Sequence, residues 1–274
     1  MKHPLFSILL TAATAIAAFA ASPAPIAAAT GADGPPGRAA VGAVFVQTND
    51  LAHNAVIAYD RAADGTLTKV GSYATGGAGA AEAGAVVDPL ASQSSLTLDQ
   101  RQRLLFVVNG GSDSITVFGV EGSRLVRRQI LPSHGDLPVS VSVSGDLVYV
   151  LNARNGGSIA GYQVAGRHVE YLAGSTRALN LAPNANPEFL QTPSQVAITP
   201  DLDAVVVATK THGTLLAFPL THGRPAASPV VTPSGTVPFA LPSTAAGSCW
   251  WSMQPGSRLA TRSRATAALP CLAR

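Results

Sequence analysis

The chain has 274 residues, of which 47% are hydrophobic, 12% charged and 5% aromatic, and it contains 26 Gly and 20 Pro. This composition excludes a disordered chain and favours a globular protein built from many short strands. The net charge is +3, but four arginines and no acidic residue lie in the segment that begins at Leu241. The basic character therefore belongs to the C-terminal segment, and we do not expect nucleic acid binding.

The first twenty residues have the pattern of a secretory signal. A basic start precedes an apolar run from Leu5 to Ala20, and small residues surround Ala20, where we predict cleavage. The run is short and poor in large side chains, which disfavours a membrane anchor as the alternative. We therefore expect residues 1–20 to be removed and residues 21–40 to form an Ala/Pro/Gly linker. The mature protein is predicted to be secreted or to stay in the cell envelope or periplasm, without stable insertion into a membrane.

Between Gly42 and Pro238 one pattern of strands and turns occurs four times. In each copy an apolar strand and a short Gly/Asn/Ser turn are followed by a second strand with an aromatic residue and then by a Gly-containing turn. The aromatic residues are Tyr59, Phe118, Tyr162 and Phe218. Such turns join antiparallel strands because glycine accepts a positive φ. A short alternating strand ("SSLTLD", "VSVSVS" or "SQVAIT") precedes copies two to four, and its period of two predicts one buried face.

Repeated units of about four strands are typical of the blades of a β-propeller. The helical periodicity that a βαβ fold requires is missing. A β-sandwich is the structural alternative, but the repetition of the turn pattern favours a propeller. We therefore predict an all-β fold: an incomplete β-propeller of about four four-stranded blades over residues 41–240, arranged as an open arc.

These units resemble the lactonase-like β-propellers, a seven-bladed family related to 6-phosphogluconolactonase and to carboxymuconate-cyclising enzymes, and in particular its secreted members. The resemblance covers Val41 to about Ala240. The stretches that carry it are "VDPLASQSSLTLDQRQRLLFVVNGGSDSITVFGV", "LPVSVSVSGDLVYVLNARNGGSIAGYQV" and "TPSQVAITPDLDAVVVATKTHGTLLAF". The resemblance implies that the protein hydrolyses a small lactone or sugar acid lactone. Such a small molecule would be its binding partner.

Two stretches differ from those of the catalytic members of this family. By resemblance, a histidine-containing "HPH"-like stretch corresponds to "LASQSSL", with Ser92 and Gln93. An arginine- and histidine-containing "GPRH"-like stretch corresponds to "TPSQV", with Ser194 and Gln195. Serine and glutamine form hydrogen bonds with a carboxylate or a lactone oxygen, but neither is a useful proton shuttle near neutral pH. The positions are therefore candidates for ligand binding, and whether the chain is an enzyme stays open.

Candidate catalytic residues lie in the loops between the predicted blades. His134 and Asp136 stand where a blade begins, and a His–Asp pair can act as a general base. A polar turn is the alternative interpretation of these two residues. Glu188 lies in the long loop "NPEFLQTP", where propeller sites often form and where a solvated side chain is also expected.

Candidate ligand-binding residues lie at equivalent ends of the predicted strands. Arg154 and Lys210 are predicted to line the channel as anion ligands, with solvation or pairing with Asp113 as the alternative. Asn109 and Asn152 are interpreted as turn formers that tolerate left-handed backbone geometry. We predict that the polar lining of the channel end comes from Gln93, Arg154, Glu188, Gln195 and Lys210.

The sequence contains no motif for a cofactor or a metal ion. The GxSxG elbow, HExxH, the P-loop, CxxC and the EF-hand loop are all missing from it. The string "GGAGAAEAGA" lacks the flanking strand and helix of a dinucleotide site and is predicted to be a loop. We expect neither a cofactor nor a metal.

The C-terminal segment "AGSCWWSMQPGSRLATRSRATAALP" does not contain the strand with which a fifth blade would begin. If the last base of each codon is joined to the first two bases of the next, the codons of residues 249–254 permit "LVV[ND]A", the strand of the earlier blades. In the same way "TRSRATAAL" permits "YAVTGDGSL", an aromatic strand with its turn. We predict that residues 241–274 are a frameshifted, unstructured tail that truncates the propeller; a genuine unusual C-terminus is the alternative. Both cysteines lie in this tail, so no disulfide is predicted.

Three interpretations of function follow from the sequence. The chain is an exported lactone hydrolase, or a non-catalytic secreted propeller that binds a ligand or partner through its channel-end loops, or an inert fragment of either. An open arc leaves one apolar face bare at each end. At about 25 cal/mol per Å², the stabilising free energy that is lost because these faces stay exposed is comparable with the total stability of a domain. We therefore expect the purified chain to be aggregated or molten.

Overall fold

Residues 39–182 and 186–241 are described by a computed structural model. The predicted signal sequence and all but the first residue of the predicted tail lie outside these residues, as does nearly all of the predicted linker. The boundaries at residues 20, 40 and 240, the signal cleavage and the frameshift therefore stay predictions.

Each predicted copy forms one antiparallel sheet, and we number the sheets as blades 1 to 4. Blade 1 consists of β1 (Ala40–Gln47), β2 (Ala55–Ala62) and β3 (Leu67–Ala74). Blade 2 consists of β4 (Leu96–Asp99), β5 (Leu104–Asn109), β6 (Ser114–Glu121) and β7 (Arg124–Pro132). In both blades the strands pair in chain order.

Blades 3 and 4 have the same order, but their outermost strand is interrupted. Blade 3 consists of β8 (Pro138–Ser144), β9 (Leu147–Asn152), β10 (Ser158–Ala165), β11 (His168–Tyr171) and β12 (Arg177–Ala178). Blade 4 consists of β13 (Gln195–Ile198), β14 (Ala204–Ala208), β15 (Thr214–Thr221), β16 (Arg224–Pro225) and β17 (Val230–Pro233). The last two strands of each blade both pair with its third strand, so they divide the fourth strand position between them. The described residues therefore form an incomplete β-propeller of four blades, as predicted.

The connections alternate between two faces because neighbouring strands run antiparallel. We call the upper face the one that carries the turns at residues 48–54, 110–113, 153–157 and 209–213 and the connections between blades at residues 75–95, 133–137 and 179–194. The lower face carries the remaining turns. The upper face also holds the single short α-helix of the described ranges, α1 (Glu188–Gln191). No helix within those ranges is long and apolar enough to cross a bilayer.

The core lies between the blades. Strands β5 and β9 are buried along their whole length because each is covered by neighbouring blades. Of the four aromatic residues that recur in the sequence, Phe118, Tyr162 and Phe218 are buried, whereas Tyr59 in blade 1 is half-buried. The repeated aromatic positions therefore anchor blades 2 to 4 in the core.

The strand "VSVSVS" is buried on both faces at its start, which differs from the predicted one-sided burial. Ser140 is as fully buried as the valines beside it. Its hydroxyl accepts a hydrogen bond from the backbone N–H of Val196 at 3.3 Å, and the Ser142 hydroxyl accepts one from Ile198 at 3.0 Å. These two serine hydroxyls accept hydrogen bonds from backbone N–H groups of blade 4, and the serine side of β8 therefore joins blades 3 and 4.

Candidate functional site

The long connection between β3 and β4, residues 75–95, crosses the upper face; we call it the crossing segment. It first passes the turn of blade 2, where Gly111 N–H donates to the Ala78 carbonyl at 3.0 Å. It then reaches α1, and it ends beside blade 4, where Gln93 N–H donates to the Ser194 carbonyl at 3.0 Å. The close approach requires small residues, because a Cβ at position 79 would lie 2.3 Å from the Asn49 carbonyl oxygen.

One of the two acidic residues of the crossing segment, Glu82, forms a buried ion pair with Lys210. The exposed fraction is 0% for the Glu82 side chain and 3% for the Lys210 side chain. Lys210 Nζ donates to Thr192 Oγ1 at 2.7 Å and to the Ala91 carbonyl at 3.0 Å, and it lies 3.4 Å from Glu82 Oε2. Thr192 Oγ1 in turn donates to Glu82 Oε2 at 2.7 Å. The pair therefore ties the crossing segment to blade 4.

Burial shifts the pKa of both members of this pair. Loss of hydration raises the pKa of Glu82 to about 7, although the charge of Lys210 acts in the opposite direction. The same loss of hydration lowers the pKa of Lys210, against the attraction of Glu82. The second carboxylate oxygen, Glu82 Oε1, is buried and has no hydrogen-bond partner among the described residues. A carboxyl group that titrates near neutrality beside a lysine is typical of functional sites, and it also occurs in purely structural ion pairs.

A cavity of about 290 Å³ opens beside this pair, and we call it the upper-face cavity. Its polar lining comes from Arg154, Asn155, Asn186, Glu188, Gln191 and Thr192. Arg154 and Glu188 form a two-point ion pair in its wall, with Nε to Oε1 at 2.6 Å and Nη2 to Oε2 at 3.3 Å. The backbone N–H of Ala83 also donates to Glu188 Oε2 at 2.7 Å. These bonds position the ion pair between α1, the turn of blade 3 and the crossing segment.

The pair in the cavity wall is fully charged at neutral pH. The hydrogen bond from Arg154 holds the pKa of Glu188 below its usual value, and the same bond raises the pKa of Arg154. The Arg154 side chain is 44% exposed and the Glu188 side chain 24% exposed, so both remain accessible from solvent. The arrangement offers a guanidinium and a carboxylate to a small polar ligand. The described residues contain no group of three or more His, Cys, Asp and Glu side chains that could hold a metal ion.

The structure brings three of the five predicted lining residues together. Arg154 and Glu188 line the upper-face cavity, and Lys210 lies buried next to it through Thr192. Gln195 begins β13, where its Nε2 donates to Ser94 Oγ at 3.1 Å and its Oε1 accepts from the backbone of Leu241. The fifth predicted residue, Gln93, is exposed where the crossing segment ends, and neither glutamine lines this cavity.

The two serines that by resemblance correspond to the family's catalytic stretches donate hydrogen bonds to backbone carbonyls. Ser92 Oγ donates to the Val139 carbonyl of blade 3 at 2.9 Å. Ser194 Oγ donates to the Ala208 carbonyl at 3.3 Å and is fully buried. Their hydroxyls are therefore occupied by backbone partners.

His134 and Asp136 lie on the upper face but contact different groups. The His134 ring stacks on Tyr171, with the ring centroids 3.8 Å apart, and partial burial lowers its pKa. The Asp136 carboxylate accepts a hydrogen bond from Asn155 Nδ2. Asp113, the alternative partner considered for Arg154, accepts from the backbone of Leu137 at 2.8 Å. No hydrogen bond or ion pair joins the side chains of His134 and Asp136 within the described part of the chain.

Sequence reasoning missed Glu82 and Thr192. The segment around Glu82 is correctly predicted as a loop, but a loop prediction gives no reason to expect a buried carboxylate. The signal that was available is a single acidic residue in a run of ten Gly, Ala and Glu residues, because such small residues allow a segment to pack closely against other backbone.

Comparison with known proteins gives a family match for part of the chain. Residues 48–170 match the family model described as "Lactonase, 7-bladed beta-propeller". No curated protein is similar to the chain in sequence.

Two solved structures with a TM-score of 0.50 share the fold at low sequence identity. A functionally unknown protein from Desulfotomaculum acetoxidans has 17% identity and a TM-score of 0.50, over 73% of this chain and 60% of that protein. A protein from Lactobacillus plantarum has 16% identity and a TM-score of 0.50, over 69% of this chain and 53% of that protein. The periplasmic gluconolactonase of Pseudomonas aeruginosa has 15% identity and a TM-score of 0.40, over 73% of this chain and 69% of that protein. The matched region thus spans about three fifths or less of the first two structures.

The repeated blades, the strand order within each blade and the match over residues 48–170 agree with one another. Residues 48–170 of the chain are similar to the lactonase-like seven-bladed β-propeller family, and the described residues form four blades.

Proposed function

We propose that this protein binds a small lactone, of the sugar acid class, in the upper-face cavity and hydrolyses it to the hydroxy acid. The observation that carries the proposal is the Arg154–Glu188 pair in the wall of a cavity of about 290 Å³, within a fold of the lactonase family. The volume suits a ligand of about the size of one sugar ring. The amides of Asn155, Asn186 and Gln191 supply donors and acceptors for its hydroxyl groups.

The ion pair supplies the two groups that lactone hydrolysis requires. Water adds to the acyl carbon, the ring C–O bond breaks, and the ring oxygen leaves as a hydroxyl group. The Arg154 guanidinium has a further N–H donor for the negative charge that develops on the carbonyl oxygen. The Glu188 carboxylate is ionised and can accept the proton of the attacking water. Because its pKa is held low, Glu188 is a weak base, and we expect a modest rate.

Binding without turnover is a second candidate function, and one observation favours it. Both Glu188 oxygens already accept hydrogen bonds, from Arg154 and from Ala83. In addition, the described residues that line the cavity include no histidine. Such a site would recognise a sugar acid through Arg154 and the amides and release it unchanged.

We also propose that the protein acts outside the cytoplasm. The support is the signal pattern of residues 1–20. N-terminal sequencing of the protein secreted by a producing strain tests this part: a first residue near position 21 is expected, and an intact Met1 in an exported fraction would contradict cleavage.

The test of the main proposal uses the full chain and δ-gluconolactone as the probe. A pH-stat assay measures acid release above the spontaneous rate, and calorimetry measures binding of lactone and of gluconate. We expect Arg154→Gln to lower the rate about 100-fold, the usual loss for one donor to an oxyanion. Glu188→Gln should lower the rate while it retains lactone binding.

Arg101→Gln is the matched control, because Arg101 forms an exposed ion pair with Asp146 on the lower face. It should leave both readouts unchanged. Saturable binding without acid release would identify the non-catalytic binder, and absence of both binding and turnover would refute the proposal for this ligand class.

A further inference from the structure

A second cavity, of about 270 Å³, opens on the lower face, and we call it the lower-face cavity. It is formed by the β4–β5 turn, the end of β6, the middle of β7 and the turn between β10 and β11. None of its lining residues belongs to the upper-face cavity. Its ligand would therefore be independent of the function proposed for the upper face.

The lining of the lower-face cavity has an excess of positive charge. The residues that line it include three arginines, Arg103, Arg128 and Arg167, and one acidic residue, Glu121. The distance from Arg128 Nη2 to Glu121 Oε1 is 3.8 Å, too long for a hydrogen bond. Arg103 and Arg167 have no carboxylate partner among the residues that the structure describes. Three cations and one anion leave two positive charges without compensation.

The backbone holds two of the three arginines in place. The Arg128 guanidinium lies against the strand at Gly119, where a Cβ would come within 2.7 Å of Nε and 3.1 Å of Nη2. Gly119 therefore provides the space in which the guanidinium lies. Arg103 has a φ of 55°, and its carbonyl accepts a hydrogen bond from Val120 N–H at 2.8 Å, which fixes this turn to β6.

We propose that the lower-face cavity binds a phosphate group, either free or carried by a small molecule. Guanidinium groups match phosphate oxygens with two parallel N–H donors, and they keep their charge at every physiological pH. Three guanidinium groups around one cavity offset both charges of a phosphate dianion. The single carboxylate stays at the rim beside Arg128 and can pair with it more closely when the cavity is empty. The volume leaves room for a phosphate ester as well as for the free ion.

The experiment is calorimetric titration of the full chain with inorganic phosphate and with glucose 6-phosphate. Sodium chloride keeps the ionic strength constant, because general screening would otherwise imitate a specific effect. We expect saturable binding. Arg128→Gln and Arg103→Gln should each weaken it about tenfold or more, the usual effect of losing a hydrogen bond to a charged group.

Two further variants separate the cavity from surface charge in general. Gly119→Ala keeps every arginine but displaces the Arg128 guanidinium, so it should weaken binding to a similar extent. Arg124→Gln removes an exposed arginine from the same blade that does not line the cavity, and it should change affinity less than about twofold.

The outcomes distinguish the two sources of the phosphate group. Tighter binding of glucose 6-phosphate than of inorganic phosphate supports a phosphorylated small molecule, whereas equal affinities support the free ion. The proposal is overturned if neither probe binds saturably, or if Arg124→Gln weakens binding as much as Arg128→Gln does.

Discussion

The buried pair of Glu82 and Lys210 gives the sharpest prediction about stability. Removal of one partner, by Glu82→Gln or Lys210→Met, leaves the other in a site where its side chain is at most 3% exposed. Breaking a buried pair in this way costs about 3–5 kcal/mol of the free energy of unfolding. The double variant removes both charges, so it should cost clearly less than the sum of the two single variants.

The pH dependence of stability provides a second signature of the same pair. The pKa of Glu82 is raised to about 7 in the folded state, whereas the unfolded chain releases this proton near pH 4.3. The folded protein therefore binds the extra proton between these values, and the free energy of unfolding falls by roughly 4 kcal/mol as pH rises through this window. Above pH 7 Glu82 is ionised in both states, so it no longer changes the free energy of unfolding with pH. The lowered pKa of Lys210 has the opposite sign, and it restores stability as pH approaches the unfolded value near 10.4.

Urea denaturation followed by circular dichroism, at intervals from pH 4 to pH 8, measures both signatures. The difference between wild type and Glu82→Gln isolates the contribution of this carboxyl group from those of the other acids. We expect the difference curve to slope between pH 4.3 and 7 and to be flat above. Additive single variants, or a difference curve that is flat between pH 4.3 and 7, would show that the pair is not coupled as the structure indicates.

Two further predictions concern how the blades are packed. Gly161→Ala should destabilise the protein by about 1–3 kcal/mol in urea denaturation, because its Cβ would lie 2.8 Å from Tyr149 Cζ. Gly71→Ala, where the nearest atom is at 3.5 Å, is the control and should stay within about 0.5 kcal/mol of wild type. Asn109→Ala should cost about 1–3 kcal/mol in thermal unfolding, because it leaves the buried Asn54 amide without one of its partners. Equal melting temperatures for this variant and wild type would contradict the role assigned to Asn109.

The sequence allowed the blades to be predicted because their signals are local. An alternating strand, a glycine turn and a recurring aromatic residue lie within a few residues of one another, and strand pairing follows from them. The buried partners of Glu82 could not be predicted in this way, since Lys210 is 128 residues away in the chain. Arg154 and Glu188 were predicted as separate candidates, and only the fold shows that they form one ion pair.

The asparagines at the strand ends show a second limit of local reasoning. Asn109 was interpreted as a turn former that tolerates left-handed geometry, but its φ is −120°, and the left-handed residue of this turn is Asp113. Its amide instead donates to Ser114 and Thr116 inside the protein. A turn preference describes an isolated peptide, whereas buried donors and acceptors in the folded protein decide which residue takes the strained conformation.

The crossing segment also affects the order in which the chain can fold. In most repeat proteins each unit contacts only its neighbours, so folding can spread from one unit to the next. Here the crossing segment forms hydrogen bonds with Ser194, in the connection before blade 4, and with Lys210, in a turn of blade 4. During synthesis, residues 75–95 must therefore wait for blades 3 and 4 before their last contacts can form, and closing so long a loop costs entropy before any contact is gained. We expect blades 2 to 4 to unfold in one cooperative step rather than one at a time.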